Sequence, residues 1–174
     1  MCIRDRKMLA AFGRRVEAAT IRVGAVTGRE WNAEQIEANP VRAADPVAAV
    51  AMAAAIEKAR AEKDSLGGIV EVRIIGAPAG LGDPVFDKLG ARLGAALLSI
   101  GAVKGVEIGA GFALAGMRGS ESNDPLGPEG FERNAAGGVL GGISTGGLIA
   151  ALSLIHISEA TRLYEISFAV FCLI

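Results

Sequence analysis

Side chains able to do acid, base or nucleophilic chemistry are scarce in this sequence of 174 residues. There is one histidine, His156, and the two cysteines, Cys2 and Cys172, sit at the chain ends without metal-ligand spacing. A zinc site or a disulfide framework is therefore not expected. Three short patterns remain. Gly142-Ile143-Ser144-Thr145-Gly146 has the form of a nucleophile elbow, in which a serine on a tight strand-to-helix turn is activated by a histidine. No acid partner accompanies it, so glycine-rich backbone packing is the better reading. Gly109-Ala110-Gly111-Phe112-Ala113-Leu114 has Leu114 where a dinucleotide fingerprint needs glycine, and no lysine follows Lys104, which excludes a phosphate-binding P-loop. Asp83 and Asp87 have the spacing of an acid/base pair, but two carboxylates beginning a helix more often cap it.

These residues must be positioned by a single domain, because the length suits one core. Lys and Arg number 18 against 19 Asp and Glu, so no basic field is available for nucleic acid or an anionic membrane. Gly is abundant at 24 residues, which puts weight on turns and close backbone approaches. The start is charged and lacks an apolar stretch, so no secretory signal is expected and the cytoplasm is the default location.

Thr20 to Val26 alternates as a strand. Asp45 followed by Pro46 predicts a capped helix through Lys63, stopped by Gly67-Gly68, and Ile69 to Ile75 reads as a half-buried strand with Glu71 and Arg73 on one face. A second helix is expected from Pro84 to Ile100, with Asp83 as its cap and Gly101 as a left-handed stop. Val103–Ile108 and Phe112–Met117 read as two strands, with a surface ion pair between Lys104 and Glu107 in the first, and 119–130 reads as polar turns. No residue from Asn134 to Ser158 carries a formal charge, but the glycines in that stretch argue against a membrane-spanning helix.

Both ends differ in character from the middle. Met1 to Arg6 and Ser153 to Ile174 resemble translated sequencing-adapter read-through, so residues 7–152 are expected to be the biological segment and 1–6 and 153–174 non-native. Residues 7–152 contain no His, Cys or Tyr, which leaves proton transfer to carboxylates and lysines.

Four ordered blocks carry a more specific signal. They are Gly76-Ala77-Pro78-Ala79-Gly80-Leu81-Gly82-Asp83-Pro84-Val85-Phe86-Asp87-Lys88-Leu89, Ser99-Ile100-Gly101-Ala102-Val103-Lys104-Gly105-Val106-Glu107-Ile108-Gly109, Gly119-Ser120-Glu121-Ser122-Asn123-Asp124, and Asn134-Ala135-Ala136-Gly137-Gly138-Val139-Leu140-Gly141-Gly142-Ile143-Ser144-Thr145-Gly146. In order and spacing they resemble the chorismate synthase family. The resemblance implies an α+β fold, part of the chorismate synthase fold, with helices sandwiched between antiparallel sheets in a homotetramer. It implies a lyase of the shikimate pathway that converts 5-enolpyruvylshikimate 3-phosphate to chorismate by anti 1,4-elimination of phosphate, with reduced FMN as cofactor; the source of the reducing equivalents, NADPH or otherwise, stays open. By the same resemblance Gly101, Ala102 and Gly141 are the flavin contacts. Gly101 stands where many members have Asn, so a contact there must come from backbone. Asn134 is read as holding its glycine-rich turn. No catalytic residue is expected within the chain, because the family's histidines and its Arg/Ser-rich phosphate-binding blocks lie upstream of the matching region. The alternative is a non-enzymatic assembly fragment, or a small membrane-associated protein, with exposed sheet edges.

Overall fold

The computed structural model describes residues 2–157, so the expectation for 158–174 lies outside the described residues. Its elements are α1 (Cys2–Ala11), β1 (Arg15–Val23), β2 (Val26–Thr27), α2 (Ala33–Ile36), α3 (Pro46–Ala61), β3 (Leu66–Ile75), α4 (Leu89–Leu98), β4 (Val103–Ile108), a 3₁₀ turn (Gly111–Gly116), α5 (Gly119–Ser122), the hairpin β5 (Leu126–Gly127) and β6 (Gly130–Phe131), the hairpin β7 (Val139–Leu140) and β8 (Ile143–Ser144), and β9 (Ile149–Ile157). The long strands form one antiparallel sheet of order β2-β1-β3-β9-β4.

Register explains why one face of this sheet is the core. Val16, Ala18 and Thr20 lie opposite Ile74, Val72 and Val70, while Ala151 lies opposite Val72 and Ile149 opposite Ile74. With a side-chain period of two, all these point the same way. All but Thr20, which is buried beside them, join Ala48, Ala49 and Met52 of α3 and Leu93 and Leu97 of α4 in a single cluster. Both helices therefore cover the same face, and the architecture is α+β.

The opposite face carries Glu71 and Arg73 together, as the alternation predicted, and joins them to residues of β1 and to Trp31, which the sequence reading did not foresee. Glu17 lies directly across from Arg73. The Glu17 carboxylate takes Arg15 at 2.7 Å and the Trp31 indole N–H at 3.1 Å, Arg73 stacks over the Trp31 ring at 3.7 Å, and Arg73 pairs with Glu71 at 2.7 Å. Charges at alternate positions on both strands were the available signal, since alternation places them on one face.

The α3 expectation holds at its start: the Asp45 side chain accepts from the N–H groups of Val47 and Ala48. The same carboxylate also accepts from Arg29, which ties the β2–α3 loop to the helix. These backbone hydrogen bonds, Arg29 first, hold its pKa below 3.8 against the opposing effect of desolvation. The helix ends at Ala61, two residues short of the expected Lys63, which is left-handed at φ +57°, and Gly67 and Gly68 belong to β3 instead.

Other boundaries move for identifiable reasons. The segment 20–26 is no single strand: β1 starts at Arg15 and the chain reverses at Gly24 into β2. The second helix begins at Leu89, with Lys88 rather than Asp83 at its N-cap. Asp83 and Asp87 instead close a tight turn through reciprocal backbone hydrogen bonds of 2.9 and 2.6 Å, and the Asp87 carboxylate pairs with Arg92 at 2.5 Å. The left-handed residue after α4 is Ala102, at φ +71°, not Gly101. Residues 111–116 form a 3₁₀ turn rather than a strand, because the chain leaves the sheet edge at Gly109. Lys104 and Glu107 form no ion pair among the described residues; the Glu107 side chain lies against Gly111.

The uncharged stretch after Asn134 supplies the β7–β8 hairpin and the inner strand β9, which pairs with β3 on one side and β4 on the other. Among the described residues no helix is long and apolar enough to cross a membrane. Strand β9 runs past residue 152, and its ladder with β3 reaches Leu66 opposite Ile157.

Candidate functional site

Gly141 occupies the tip of the β7–β8 hairpin, and that tip is locked to the segment leading into α4. The Gly80 N–H donates to the Ser144 carbonyl at 2.9 Å, the Ser144 N–H to the Leu81 carbonyl at 2.9 Å, and the Leu89 N–H to the Gly142 carbonyl at 2.7 Å. The Ser144 hydroxyl accepts from the Leu81 N–H at 2.9 Å and donates to the Pro78 carbonyl at 2.5 Å. With both capacities used, and with the side chain 2% exposed, this hydroxyl is a clamp between two loops and not a nucleophile. His156, on exposed β9 surface, makes no hydrogen bond to it.

The close fit of the two loops requires glycine at Gly82, at φ +112°, where a Cβ would collide with the Gly142 carbonyl. Gly141 is the opposite case. It is left-handed at φ +61°, yet a Cβ built on it would meet no atom within 4 Å. Open space thus faces a rigid turn, and a planar group can approach the backbone closely there. Beside it, the aliphatic carbons of Lys88 lie 2.7 to 3.1 Å from where a Cβ on Gly142 would stand.

Gly101 and Ala102 lie at the other end of α4. Ala102 is half-buried, and its carbonyl accepts from the His156 N–H at 3.4 Å. With ten residues in α4, about 15 Å of helix separates this pair from the Gly141 turn. The structure therefore brings the three sequence-derived positions to one helix but not to one point. The face between them is small: Ala91 and Ala95 are exposed, and Gly90 and Gly94 have no atom within 4 Å of a built Cβ.

Asn134 holds its loop as expected, its side-chain amide donating to the Leu148 carbonyl at 2.9 Å. The same loop is gathered by Asp124, whose carboxylate accepts from the N–H groups of Ala135 at 2.6 Å and Ala136 at 2.9 Å. The sequence reads 119–130 only as polar turns, and nothing local to Asp124 points to a loop eleven residues on. Among the described residues no three His, Cys, Asp or Glu side chains are grouped to hold a metal ion. Clefts of about 480 and 550 Å³ lie elsewhere, beneath α1 and beside Trp31, and none of the three flavin candidates lines them.

Fold and site define an α+β protein whose candidate ligand contacts are made by backbone at tight turns rather than by a catalytic constellation. The chorismate synthase family model matches residues 4–158. The chain is 56% identical over 141 residues to chorismate synthase from Syntrophobacter fumaroxidans and 57% identical over 141 residues to that from Syntrophus aciditrophicus, covering 81% and 79% of this chain. A solved structure described as chorismate synthase superposes with a TM-score of 0.86 at 26% identity, covering 97% of this chain and 57% of its own. The chain belongs to the chorismate synthase family. It spans about 40% of the length of the curated relatives it matches.

Proposed function

We propose that this chain supplies the flavin-contacting part of a chorismate synthase. The reaction of the whole protein is the anti 1,4-elimination of phosphate from 5-enolpyruvylshikimate 3-phosphate: one C–O bond to phosphate and one C–H bond break, a carbon–carbon double bond forms, and there is no net redox change. Reduced FMN, when bound, supplies electron density toward the departing phosphate and assists proton removal. The share of this chain is positioning. The observation that carries the reading is the Gly141 turn, open to a planar group on one side and clamped from behind by Ser144.

Gly141 contacts the flavin through backbone, and Gly101 and Ala102 contact its far end, with the cofactor laid along the small face of α4 formed by Gly90, Ala91, Gly94 and Ala95. Such a face suits a planar ring over its first two turns, where Gly90, Ala91, Gly94 and Ala95 carry no bulky side chain, and exposed Leu98 supplies an apolar edge before Gly101. The chain itself forms no chorismate, since residues 7–152 offer no imidazole for proton transfer. The whole protein is a cytoplasmic homotetramer, and residues 7–152 are the biological segment of this chain. Incubating the purified chain with 5-enolpyruvylshikimate 3-phosphate and reduced FMN tests the absence of activity; detectable chorismate would overturn it. Flavin titration tests the site, with Gly141→Trp expected to abolish binding while the melting transition is retained.

A further inference from the structure

Lys88 was not among the sequence-derived site residues, yet its stem lies on the backbone of Gly142, one residue from the open turn at Gly141. It is exposed, and no carboxylate is within ion-pair distance of it among the described residues. The nearer carboxylate of the same turn, Asp87, is already taken by Arg92 at 2.5 Å. The Asp83 and Asp87 backbones are committed to each other, which fixes the turn from which Lys88 emerges. One unmatched cation therefore stands beside a rigid, side-chain-free opening. A neutral planar ligand would need no such group; a ligand carrying negative charge would.

We propose that the Lys88 ammonium meets an anionic group of the flavin bound at the Gly141–Gly142 turn, as a positioning residue for the cofactor; this rests on the flavin reading above. The anion is either the phosphate ester of FMN or the ring of the reduced flavin, which is negatively charged at neutral pH. Lys88→Met keeps the stem on Gly142 and removes the charge, and Lys88→Arg keeps the charge. Titrating the full chain and both variants with FMN and with riboflavin, oxidised and dithionite-reduced, separates the sources.

Lys88→Met is expected to weaken FMN binding about fivefold or more, and Lys88→Arg to restore most of it. Binding by the unaltered chain should weaken with added salt, and binding by Lys88→Met much less so. An effect confined to FMN assigns the phosphate; an equal effect on reduced riboflavin assigns the ring. FMN binding by Lys88→Met within about twofold of the unaltered chain, or no rescue by Lys88→Arg, overturns the proposal and leaves the flavin reading standing. No FMN binding by the unaltered chain overturns both.

Discussion

Replacing Ser144 by alanine tests whether the clamp behind Gly141 is structural. The substitution removes one oxygen that accepts from the Leu81 N–H at 2.9 Å and donates to the Pro78 carbonyl at 2.5 Å. Each such bond contributes about 1 kcal/mol net, and leaving the half-buried Leu81 N–H without a partner costs roughly another 1 kcal/mol. The total is about 2–3 kcal/mol. For a chain of this length each kcal/mol moves the melting temperature by about 2–4 °C, so a loss of roughly 5–10 °C is expected. The assay is a thermal and urea melt followed by circular dichroism, with Ser122→Ala as control, because that hydroxyl makes only an exposed 3.3 Å bond to Gly119. A nucleophilic serine would lose reactivity on substitution and keep its stability. Melting of Ser144→Ala within about 1 °C of the unaltered chain would refute the clamp.

The remaining expectations follow from individual contacts. The Asp45 carboxylate, held below 3.8 chiefly by the Arg29 N–H, stabilises the fold above that value, and this is lost as pH falls through the lower folded-state pKa; Asp45→Asn should flatten the acid limb of a stability profile below about pH 4, and an unchanged limb would exclude the assignment. Ser153 is 0% exposed with no hydrogen-bond partner for its hydroxyl, so Ser153→Ala should stabilise the fold by about 1 kcal/mol, seen as a higher urea midpoint, whereas a lowered midpoint would mean the hydroxyl is satisfied. Gly94→Leu on the open face of α4 should raise helix stability by about 1 kcal/mol while weakening flavin binding, two opposite readouts that a merely structural role for this face would not produce.

What could be read from the sequence divides along physical lines. Asp45-Pro46 marked the start of α3 because a cap and a preset φ act locally. Asp83-Pro84 has the same form and failed, because Asp83 pairs with Asp87 across a turn and the Leu89 N–H is taken by Gly142, more than fifty residues away. Phe112–Met117 failed likewise: β4 leaves a free sheet edge, but Gly109 turns the chain toward Ala135 and carries the following apolar residues away from it. At the site, the type of position was visible in the glycine blocks. The roles of Lys88, Asp124 and Ser144 were not, although all three lie within those blocks, since each acts on a residue distant in sequence.

Strand β9 shows a related point about the expected boundary at residue 152. Backbone ladders are indifferent to side chains, so any segment alternating apolar residues can complete a strand. Ile149, Ala151 and Ile155 fill the core face, and Ser153 alone among them brings a hydroxyl with nothing to bond. The ladder runs unbroken from Ile149 to Ile157 and the family model matches through residue 158, so neither marks a break at residue 152.

The central claim, that this chain carries a flavin contact at the Gly141 turn, is tested most directly by titrating the full chain and its Gly141→Trp variant with reduced and oxidised FMN, each beside a melting curve. The account predicts saturable binding by the unaltered chain, no binding by the variant, and cooperative melts for both, the variant's lower by a few °C because a side chain at φ +61° costs about 1–2 kcal/mol. Equal binding by both proteins, or a cooperative melt without any FMN binding, would contradict it.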